Sequence, residues 1–303
     1  MRRNQHTLKK FYYFEGKGLH TGTYSHMKLM PARAGEGIRF RRTDLRNQPV
    51  IEALAENVTN TARSTTVSRD EAVAVTIEHI MSALTGLGVD NAVIELDNIE
   101  VPILDGSAKP YVEAFQRVGL VDQGVPRVYF DIPYSLEVKD DRTGSWIRIE
   151  PAEAPSADIT ADFGSRVLGV QSAHWDGSVD YAREIGVCRT FCFFHEIEYL
   201  FKNNLIKGGD VDNAIVVVEH PVTPEQVASI ADLLGMPDLK VTDQGYLNNL
   251  QLHFSDECGR HKLLDLVGDF RLAGGWLNAR ITAYKPGHTL NTKAAKALRA
   301  ILK

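Results

Sequence analysis

A histidine and an aspartate four residues apart give the strongest chemical signal in the sequence. The segment around His261 and Asp265 is apolar, with leucine or valine at positions 263, 264, 266 and 267. If this segment is helical, both side chains project from one face, about one turn apart. An imidazole and a carboxylate at that spacing can occupy two positions of a tetrahedral metal site. The same pair is also compatible with a helix whose polar residues are satisfied locally or face solvent.

A second pair of polar residues lies far upstream, where Glu78 directly precedes His79. Adjacent residues on a helix point about 100 degrees apart, so the two side chains cannot both face one point squarely. The arrangement suits one direct metal ligand and one neighbour that contacts a water on the metal. The alternative is a core histidine beside a partly exposed glutamate. The sequence lacks His-Glu-x-x-His, the usual helix-borne zinc site of proteases.

A third polar group follows a proline-glycine turn, where His288 comes directly after Pro286 and Gly287. Positioned catalytic groups often lie in such loops. Asp269, four residues after Asp265, could hold His288 in its charged form, as a carboxylate does for a catalytic imidazole. Alternatively, His288 caps a helix that starts near residue 291 and Asp269 is a solvated helix end.

An aromatic segment at residues 189–200 runs into two glycines at 208–209 and an apolar strand at 214–218. A buried core is the default explanation for such a run. Glycine hinges beside it would also suit a small flap that presents apolar residues to a ligand. Cys188 and Cys192 have too few cysteine partners for a zinc site, so we interpret them as buried or bystander thiols.

The elements that must position these residues follow an α+β pattern in two domains. Apolar periodicity predicts helices at 76–87, 224–235, 259–273 and 291–302. Short strands are predicted at 11–14, 27–30, 91–96, 128–130, 135–138 and 146–149. Glycine and proline at 121–126 favour a boundary between domains 1–124 and 125–303. No fixed-period repeat is visible, and the site candidates come from both domains.

Composition narrows the class of protein. The chain has 303 residues, 44% hydrophobic and 24% charged, which is ordinary for a globular protein of two domains. A net charge of −5 gives no support for nucleic-acid binding. No apolar segment approaches the roughly 20 residues of a transmembrane helix. The basic start lacks the apolar run of a secretory signal, and three cysteines do not make a disulfide framework. We therefore expect a cytoplasmic protein.

Six ordered segments resemble the zinc-dependent UDP-3-O-acyl-N-acetylglucosamine deacetylases of lipid A synthesis. Together they span residues 16–293 and occur in the family order. They are Gly18-Leu19-His20-Thr21-Gly22, Thr76-Ile77-Glu78-His79, Asp105-Gly106-Ser107-Ala108, Arg189-Thr190-Phe191, His261-Lys262-Leu263-Leu264-Asp265 with Gly268-Asp269, and Gly287-His288 with Leu290-Asn291. Each segment is modest alone, but the ordered set is highly specific.

The resemblance implies a set of roles for these residues. One zinc ion would be held by His79, His261 and Asp265, and iron(II) could occupy the same ligands. Two nitrogens and one carboxylate leave an open position, which is the catalytic arrangement. Further roles are also implied: Glu78 as general base, Thr190 as oxyanion donor, His288 as general acid oriented by Asp269, and Lys262 as positive charge near the substrate.

The resemblance also implies a substrate, a UDP-linked acylated glucosamine that loses acetate in the committed step of lipid A synthesis. The family builds an apolar acyl-chain passage from an inserted β-α-β element, which maps here onto residues 190–218. The expected lining residues are Phe194, Ile197, Ile206, Ala214 and Val216. In addition, Phe191 would stack on the sugar and Lys285 would meet the diphosphate.

The implied fold has two domains of similar architecture, each with helices layered against a sheet and with the active site between them. Some members of the family are fused to a hydroxyacyl dehydratase domain, and the sequence leaves open whether this chain is the first domain of such a fusion. Glu196 stands where the family commonly has aspartate, which leaves the sugar contact there open.

Two competing functions belong to other classes. One is a different zinc amidohydrolase acting on N-acetylated sugars or peptides, against which the apolar flap at 190–218 argues. The other is a binding module with a structural metal. Structural sites are usually closed by four protein ligands, often cysteines, whereas three ligands and no cysteine are evident here.

Overall fold

The computed structural model of the chain describes residues 3–197, 208–210 and 212–302. The N-terminal half contains strands β1 (Asn4–Leu8), β2 (Tyr12–Lys17), β3 (Tyr24–Pro31), β4 (Ile38–Arg42), β5 (Val50–Glu52), β6 (Val58–Asn60), β7 (Thr66–Arg69), β8 (Ala72–Ala74), β9 (Ala92–Leu96) and β10 (Leu120–Pro126). Its helices are α1 (Glu78–Gly86) and α2 (Lys109–Val118), with a 3-10 turn at Ala55–Asn57.

The C-terminal half contains strands β11 (Tyr129–Asp131), β12 (Leu136–Asp140), β13 (Ser145–Pro151), β14 (Ser156–Asp162), β15 (Val170–Trp175), β16 (Phe191–Phe193), β17 (Ile215–Val217) and β18 (Trp276–Tyr284). Its helices are α3 (Tyr181–Glu184), α4 (Pro224–Leu234), α5 (Glu257–Phe270) and α6 (His288–Leu302), with a 3-10 turn at Arg271–Ala273.

The main sheets of the two halves have the same topology. The first has the order β2-β3-β9-β4-β5, and the second has the order β12-β13-β18-β14-β15, with β11 added alongside β18. The central strand of the first sheet, β9, pairs antiparallel with β3 and parallel with β4. In the same way, β18 at the centre of the second sheet pairs antiparallel with β13 and parallel with β14. One helix precedes the central strand and another follows it, α1 and α2 in one half and α5 and α6 in the other. The α+β class with two similar parts is thereby confirmed.

Smaller sheets complete each half. β6, β7 and β8 form a three-stranded antiparallel sheet, and β1 pairs with β10. The domain boundary that we expect after residue 124 falls within β10 and stays a prediction.

One apolar core joins the two halves. It includes Leu29 and Ile94 from the first sheet, Leu84 from α1, Leu266 from α5 and Ile281 from the second sheet. Helix α5 is buried around almost its whole circumference, as expected for a helix packed between other layers. Its partner across the molecule is α1.

Helix α1 and helix α5 approach closely at a glycine. A Cβ atom on Gly268 would lie 2.2 Å from the backbone carbonyl oxygen of Glu78, far inside any real contact. Only glycine therefore allows α5 to lie this near the start of α1.

Helix α6 begins at His288, three residues before the start that the periodicity predicts. The reason is local: the backbone N–H of Asn291 donates to the carbonyl oxygen of Gly287, so the first helical turn already encloses His288. The turn before it contains Lys285 in a left-handed conformation with a φ of 52°.

The insert, residues 190–218, contains the parallel pair β16 and β17, and residues 194–197 are helical. Val216 and Val218 face one apolar group that includes Ile230 of α4, whereas Ile215 and Val217 face another that includes Tyr246. Both faces of β17 are thus covered, which explains its continuous apolar sequence.

None of the helices in the described part of the chain combines the length and hydrophobicity needed to span a membrane.

Candidate active site

A cavity of about 200 Å³ lies where α1 and α5 meet, and both halves of the chain contribute to it. The lining residues are Leu19, His20, Arg63, Thr76, Glu78, His79, Thr190, Phe191, His261, Lys262, Asp265 and His288. A larger cavity of about 710 Å³ shares none of these residues and is lined instead by groups such as Arg127, Glu153 and Trp175. The chemistry anticipated from the sequence therefore concentrates in the smaller cavity.

The three expected metal ligands converge in this cavity. His79 comes from the first turn of α1, and His261 and Asp265 come from one face of α5, as their spacing predicts. The ligand atoms of the three side chains lie within 4.8 Å of one another, and all three residues are buried. Oδ1 of Asp265 lies 3.4 Å from Nε2 of His261 and 3.9 Å from Nε2 of His79.

The hydrogen bonds around these side chains fit a bound cation. Oδ1 of Asp265 is buried, and no described residue donates a hydrogen bond to it. The other carboxylate oxygen accepts from Nζ of Lys262 at 2.6 Å. Nδ1 of His261 lies 3.0 Å from the carbonyl oxygen of Cys188, and donation to that oxygen leaves Nε2 as a lone pair facing the site. A buried carboxylate oxygen without a donor, next to two imidazole nitrogens, is suited to a metal ion.

The charge states favour ligation as well. Burial lowers the pKa of His79 to about 3 and also lowers the pKa of His261, so both imidazoles are neutral and can ligate. Burial by itself would raise the pKa of Asp265, but the positive charges of Lys262 and of protonated His288 hold it well below its usual value. Two neutral nitrogens and one anionic oxygen thus face the same point.

Glu78 and His288 flank the ligand cluster. Oε1 of Glu78 lies 3.9 Å from Nε2 of His288, and its Oε2 accepts from the backbone N–H of Thr65 at 3.0 Å. Burial raises the pKa of Glu78 to about 8. A cation held at the neighbouring ligands would oppose that shift, because positive charge favours the carboxylate.

His288 is held by a buried carboxylate. Burial alone would lower its pKa, but Asp269, Glu78 and Asp265 together raise the pKa of His288 to about 9. Nδ1 of His288 donates to Oδ2 of Asp269 at 3.0 Å. Asp269 also accepts from Oγ1 of Thr65 at 2.6 Å and from Nδ2 of Asn291 at 2.9 Å. These three donors hold the carboxylate, and through it the imidazole, in one orientation.

Thr65 is one residue that sequence reasoning missed. It is fully buried, and its hydroxyl oxygen also lies 3.3 Å from Nδ1 of His288. No motif or periodicity marks the loop before β7, so nothing in the sequence pointed to it.

A second missed residue is Glu100, which shapes the loop at 18–22. Its buried carboxylate accepts from the backbone N–H groups of His20 and Thr21 and from the hydroxyls of Thr21 and Thr76. These bonds hold the loop residues and Thr76 at the cavity wall. The loop itself belongs to a recognised segment, but its anchor does not.

The expected substrate contacts lie in different surroundings. Thr190 and Phe191 line the cavity, and the ring of Phe191 meets that of His261 edge to face at 6.4 Å, with the ammonium of Lys262 at 5.5 Å. The ammonium of Lys285 pairs with Asp162 at 3.2 Å.

Of the expected acyl-chain residues, Phe194, Ile197 and Val216 are buried together in the apolar group next to α4. Ala214, directly before β17, is half-buried. Ile206 lies outside the described residues.

The Asp105–Ala108 segment supports the base of the insert. Gly106 has a φ of 78°, and a Cβ atom there would lie 1.9 Å from the carbonyl oxygen of Asn213. Its own carbonyl oxygen accepts from the backbone N–H of Thr190 at 2.8 Å. Glycine is therefore required where this turn holds Thr190 against the cavity.

Comparison with known proteins agrees with this geometry. The sequence profile of the LpxC family, described as UDP-3-O-acyl N-acetylglycosamine deacetylase, matches residues 5–232 and 238–300. A bifunctional enzyme LpxC/FabZ of Porphyromonas gingivalis is 43% identical over 299 residues, which cover 99% of this chain and 65% of that protein. The chain thus spans slightly less than two thirds of that relative and of a similar one from Bacteroides thetaiotaomicron.

Shorter relatives match over nearly their whole length. A UDP-3-O-acyl-N-acetylglucosamine deacetylase of Trichormus variabilis is 38% identical over 303 residues, which cover 98% of this chain and 99% of that protein. With this coverage by both the profile and the relatives, the chain belongs to the UDP-3-O-acyl N-acetylglycosamine deacetylase family.

Proposed function

We propose that the chain hydrolyses the acetamide of UDP-3-O-(3-hydroxyacyl)-N-acetylglucosamine, releasing acetate and the free amine in the committed step of lipid A synthesis. The observation that carries this proposal is the convergence of His79, His261 and Asp265 with Glu78 and His288 around one cavity. The names of relatives that match over nearly the whole chain support the same substrate. Because the substrate is a nucleotide sugar, we also propose a cytoplasmic setting.

His79, His261 and Asp265 would hold the metal, with zinc proposed and iron(II) as an alternative. A bound ion of this kind supplies a Lewis acid that polarises the acetamide carbonyl and lowers the pKa of water. The unpartnered Oδ1 of Asp265 and the neutral state of both histidines support this assignment. Lys262 positions the carboxylate from its other oxygen and adds positive charge beside the substrate.

Proton transfer falls to two side chains. Glu78 is the general base, which takes a proton from the attacking water while its second oxygen stays bound to the backbone of Thr65. His288 is the general acid, since its raised pKa keeps it protonated at neutral pH and Asp269 fixes its orientation. An amine leaves poorly as an anion, so a proton must reach its nitrogen as the bond to carbon breaks. The Thr190 hydroxyl donates to the oxygen that gains charge.

We propose that the active-site cleft lies between domains 1–124 and 125–303. The residues that select the substrate belong to the second of these domains. Phe191 would stack on the sugar and Lys285 would meet the diphosphate. The insert would form the acyl-chain passage with Phe194, Ile197, Ile206, Ala214 and Val216. Burying each methylene of the chain stabilises the complex by roughly 0.8 kcal/mol, so a long acyl chain would supply much of the affinity.

The first test measures acetate release from the long-chain substrate by metal-stripped protein, with and without one equivalent of zinc. We expect activity only with zinc and a loss of at least about a hundredfold in kcat for Glu78→Gln and for His288→Gln. His26→Gln, an exposed histidine beside Glu15 and Asp97, is the matched control and should retain kcat. Near wild-type turnover in both active-site variants would rule out the assigned roles.

A second test separates this substrate from simpler N-acetylated sugars. We expect kcat/KM to fall steeply as the acyl chain is shortened and to be lowest for N-acetylglucosamine. Equal efficiency for all of these would contradict the passage and favour another zinc amidohydrolase.

A further inference from the structure

A second cluster of ligand-type side chains lies on the insert, outside the cavity. β16 and β17 run parallel, and Phe193 at the end of β16 is paired with Val217 at the end of β17. The residues that follow the two strands therefore lie at the same end of this small sheet, beyond the carboxyl ends of both strands. They include His195 after β16, and Glu219 and His220 after β17.

The three side chains meet closely. Each offers one ligand atom, and these atoms lie within 4.8 Å of one another. The imidazole rings of His195 and His220 are 5.9 Å apart, and the His195 ring also stacks on Phe193 at 5.6 Å. Both histidines are exposed, and Glu219 is half-buried, so an ion can reach the cluster from solvent.

The neighbouring carboxylate is engaged elsewhere. Glu196 pairs with Arg63 at 3.0 Å, which leaves two imidazoles and the single carboxylate of Glu219 facing one another. Imidazole ligands favour ions such as Zn²⁺, Ni²⁺ and Cu²⁺ over Mg²⁺ and Ca²⁺, which prefer oxygen. Three protein ligands on an exposed surface leave the remaining coordination positions to water.

We propose that His195, Glu219 and His220 form a second site for a first-row transition-metal ion, separate from the ligands in the cavity. Because the ligands follow two different strands, a bound ion links the ends of β16 and β17 and restrains the insert. Binding of this ion does not depend on the proposed function. A further consequence, that an acyl chain enters and leaves a stiffened insert more slowly, does rest on the proposed function.

The test uses protein already loaded with one equivalent of zinc, into which Ni²⁺ is titrated by calorimetry. We expect one further Ni²⁺ per chain, and loss of that event in the His195→Ala/His220→Ala double variant. His26→Ala/His174→Ala is the matched control, because each of these exposed histidines also contacts two carboxylates, and it should bind as wild type. The site would be overturned if zinc-loaded wild type bound no Ni²⁺, or if the His195→Ala/His220→Ala variant bound Ni²⁺ as wild type does.

Two further measurements define the ion and its effect. Ca²⁺ should not compete with Ni²⁺, and equal competition would contradict a site built on imidazole. Amide hydrogen exchange in residues 191–197 and 215–218 should slow with the second ion in wild type but not in His195→Ala, which removes the ligand that follows β16. Binding without slower exchange would refute the link between the strands. Neither measurement involves turnover. Both results can therefore be interpreted even if the chain shows no deacetylase activity.

Discussion

Thr65 contacts all three groups that govern proton transfer in the proposed reaction. Its backbone N–H donates to Glu78, its hydroxyl donates to Asp269, and the same hydroxyl oxygen lies 3.3 Å from Nδ1 of His288. One residue therefore positions the base through the main chain and the acid through the side chain. The two contacts can be separated, because a side-chain substitution leaves the backbone donor in place.

Thr65→Val removes the hydroxyl and keeps the shape of the side chain. We expect kcat to fall about tenfold to a hundredfold with little change in KM, because orienting partners of this kind act through the group they hold. The free energy of unfolding should fall by about 1–3 kcal/mol, since Asp269 loses a buried donor. Thr85→Val is the control, because its buried hydroxyl donates, among the described residues, only to the carbonyl oxygen of Met81 on α1. Wild-type kcat in Thr65→Val would contradict the positioning role.

At this scale, spacing made the ligand pair on α5 visible, whereas Thr65 left no trace. His261 and Asp265 lie one helical turn apart in an apolar segment, so their spacing carries geometric meaning. Thr65 reaches Asp269 across 204 residues of sequence from a loop without periodicity. Only the folded chain brings such residues together.

Helix α1 carries Glu78 and His79, and helix α5 carries the other two ligands, so their separation sets the geometry of the cavity. Gly268 fixes that separation by allowing α5 to touch the backbone of α1. The helices themselves were predictable from their apolar periodicity, to within about three residues. The pairing of strands was not, because β14 and β18 are joined across more than a hundred residues of sequence.

Gly268→Ala tests this contact, and two effects oppose each other. Alanine in a helix interior usually stabilises by about 1 kcal/mol relative to glycine. Here its Cβ would lie 2.2 Å from a carbonyl oxygen, so the helices must separate, and overpacking of this kind typically costs about 1–3 kcal/mol. We expect net destabilisation in urea unfolding and weaker zinc binding. Gly177→Ala, in open space, should change neither property. Stabilisation by Gly268→Ala would show that the helices can move apart freely.

Asp90 joins the two halves on another side of the molecule. Its buried carboxylate accepts from the guanidinium of Arg127, from the indole N–H of Trp276 and from the backbone N–H of His6. The two halves are thus tied by a polar network as well as by the shared core. The resemblance implied two similar parts, but this network could not be predicted, since its members carry no motif.

Asp90→Asn leaves the Arg127 guanidinium buried without its charge partner. Breaking a buried ion pair from one side typically costs about 3–5 kcal/mol, and we expect a loss at the lower end because asparagine keeps one acceptor. Urea unfolding gives the measurement. Asp158→Asn removes a partly exposed partner of Arg280 and should cost at most about 1 kcal/mol. Equal losses in the two variants would argue against a special role for the Asp90 network.

Removal of the proposed metal should destabilise the molecule as a whole. His79 belongs to the N-terminal half, and His261 and Asp265 belong to the C-terminal half, so a bound ion stabilises only the state in which both halves are folded and docked. An ion present at a thousand times its Kd stabilises the folded state by about 4 kcal/mol. Because one apolar core spans both halves, we expect this energy to appear as a higher Tm of a single transition.

Thermal melts with and without a chelator measure this shift. Far-UV circular dichroism follows the whole chain, and tryptophan fluorescence follows the C-terminal half, because Trp146, Trp175 and Trp276 all lie there. Asp265→Ala should lose the zinc-dependent shift. If chelation moved the fluorescence transition alone, the two halves would unfold independently and the ion would stabilise only one of them.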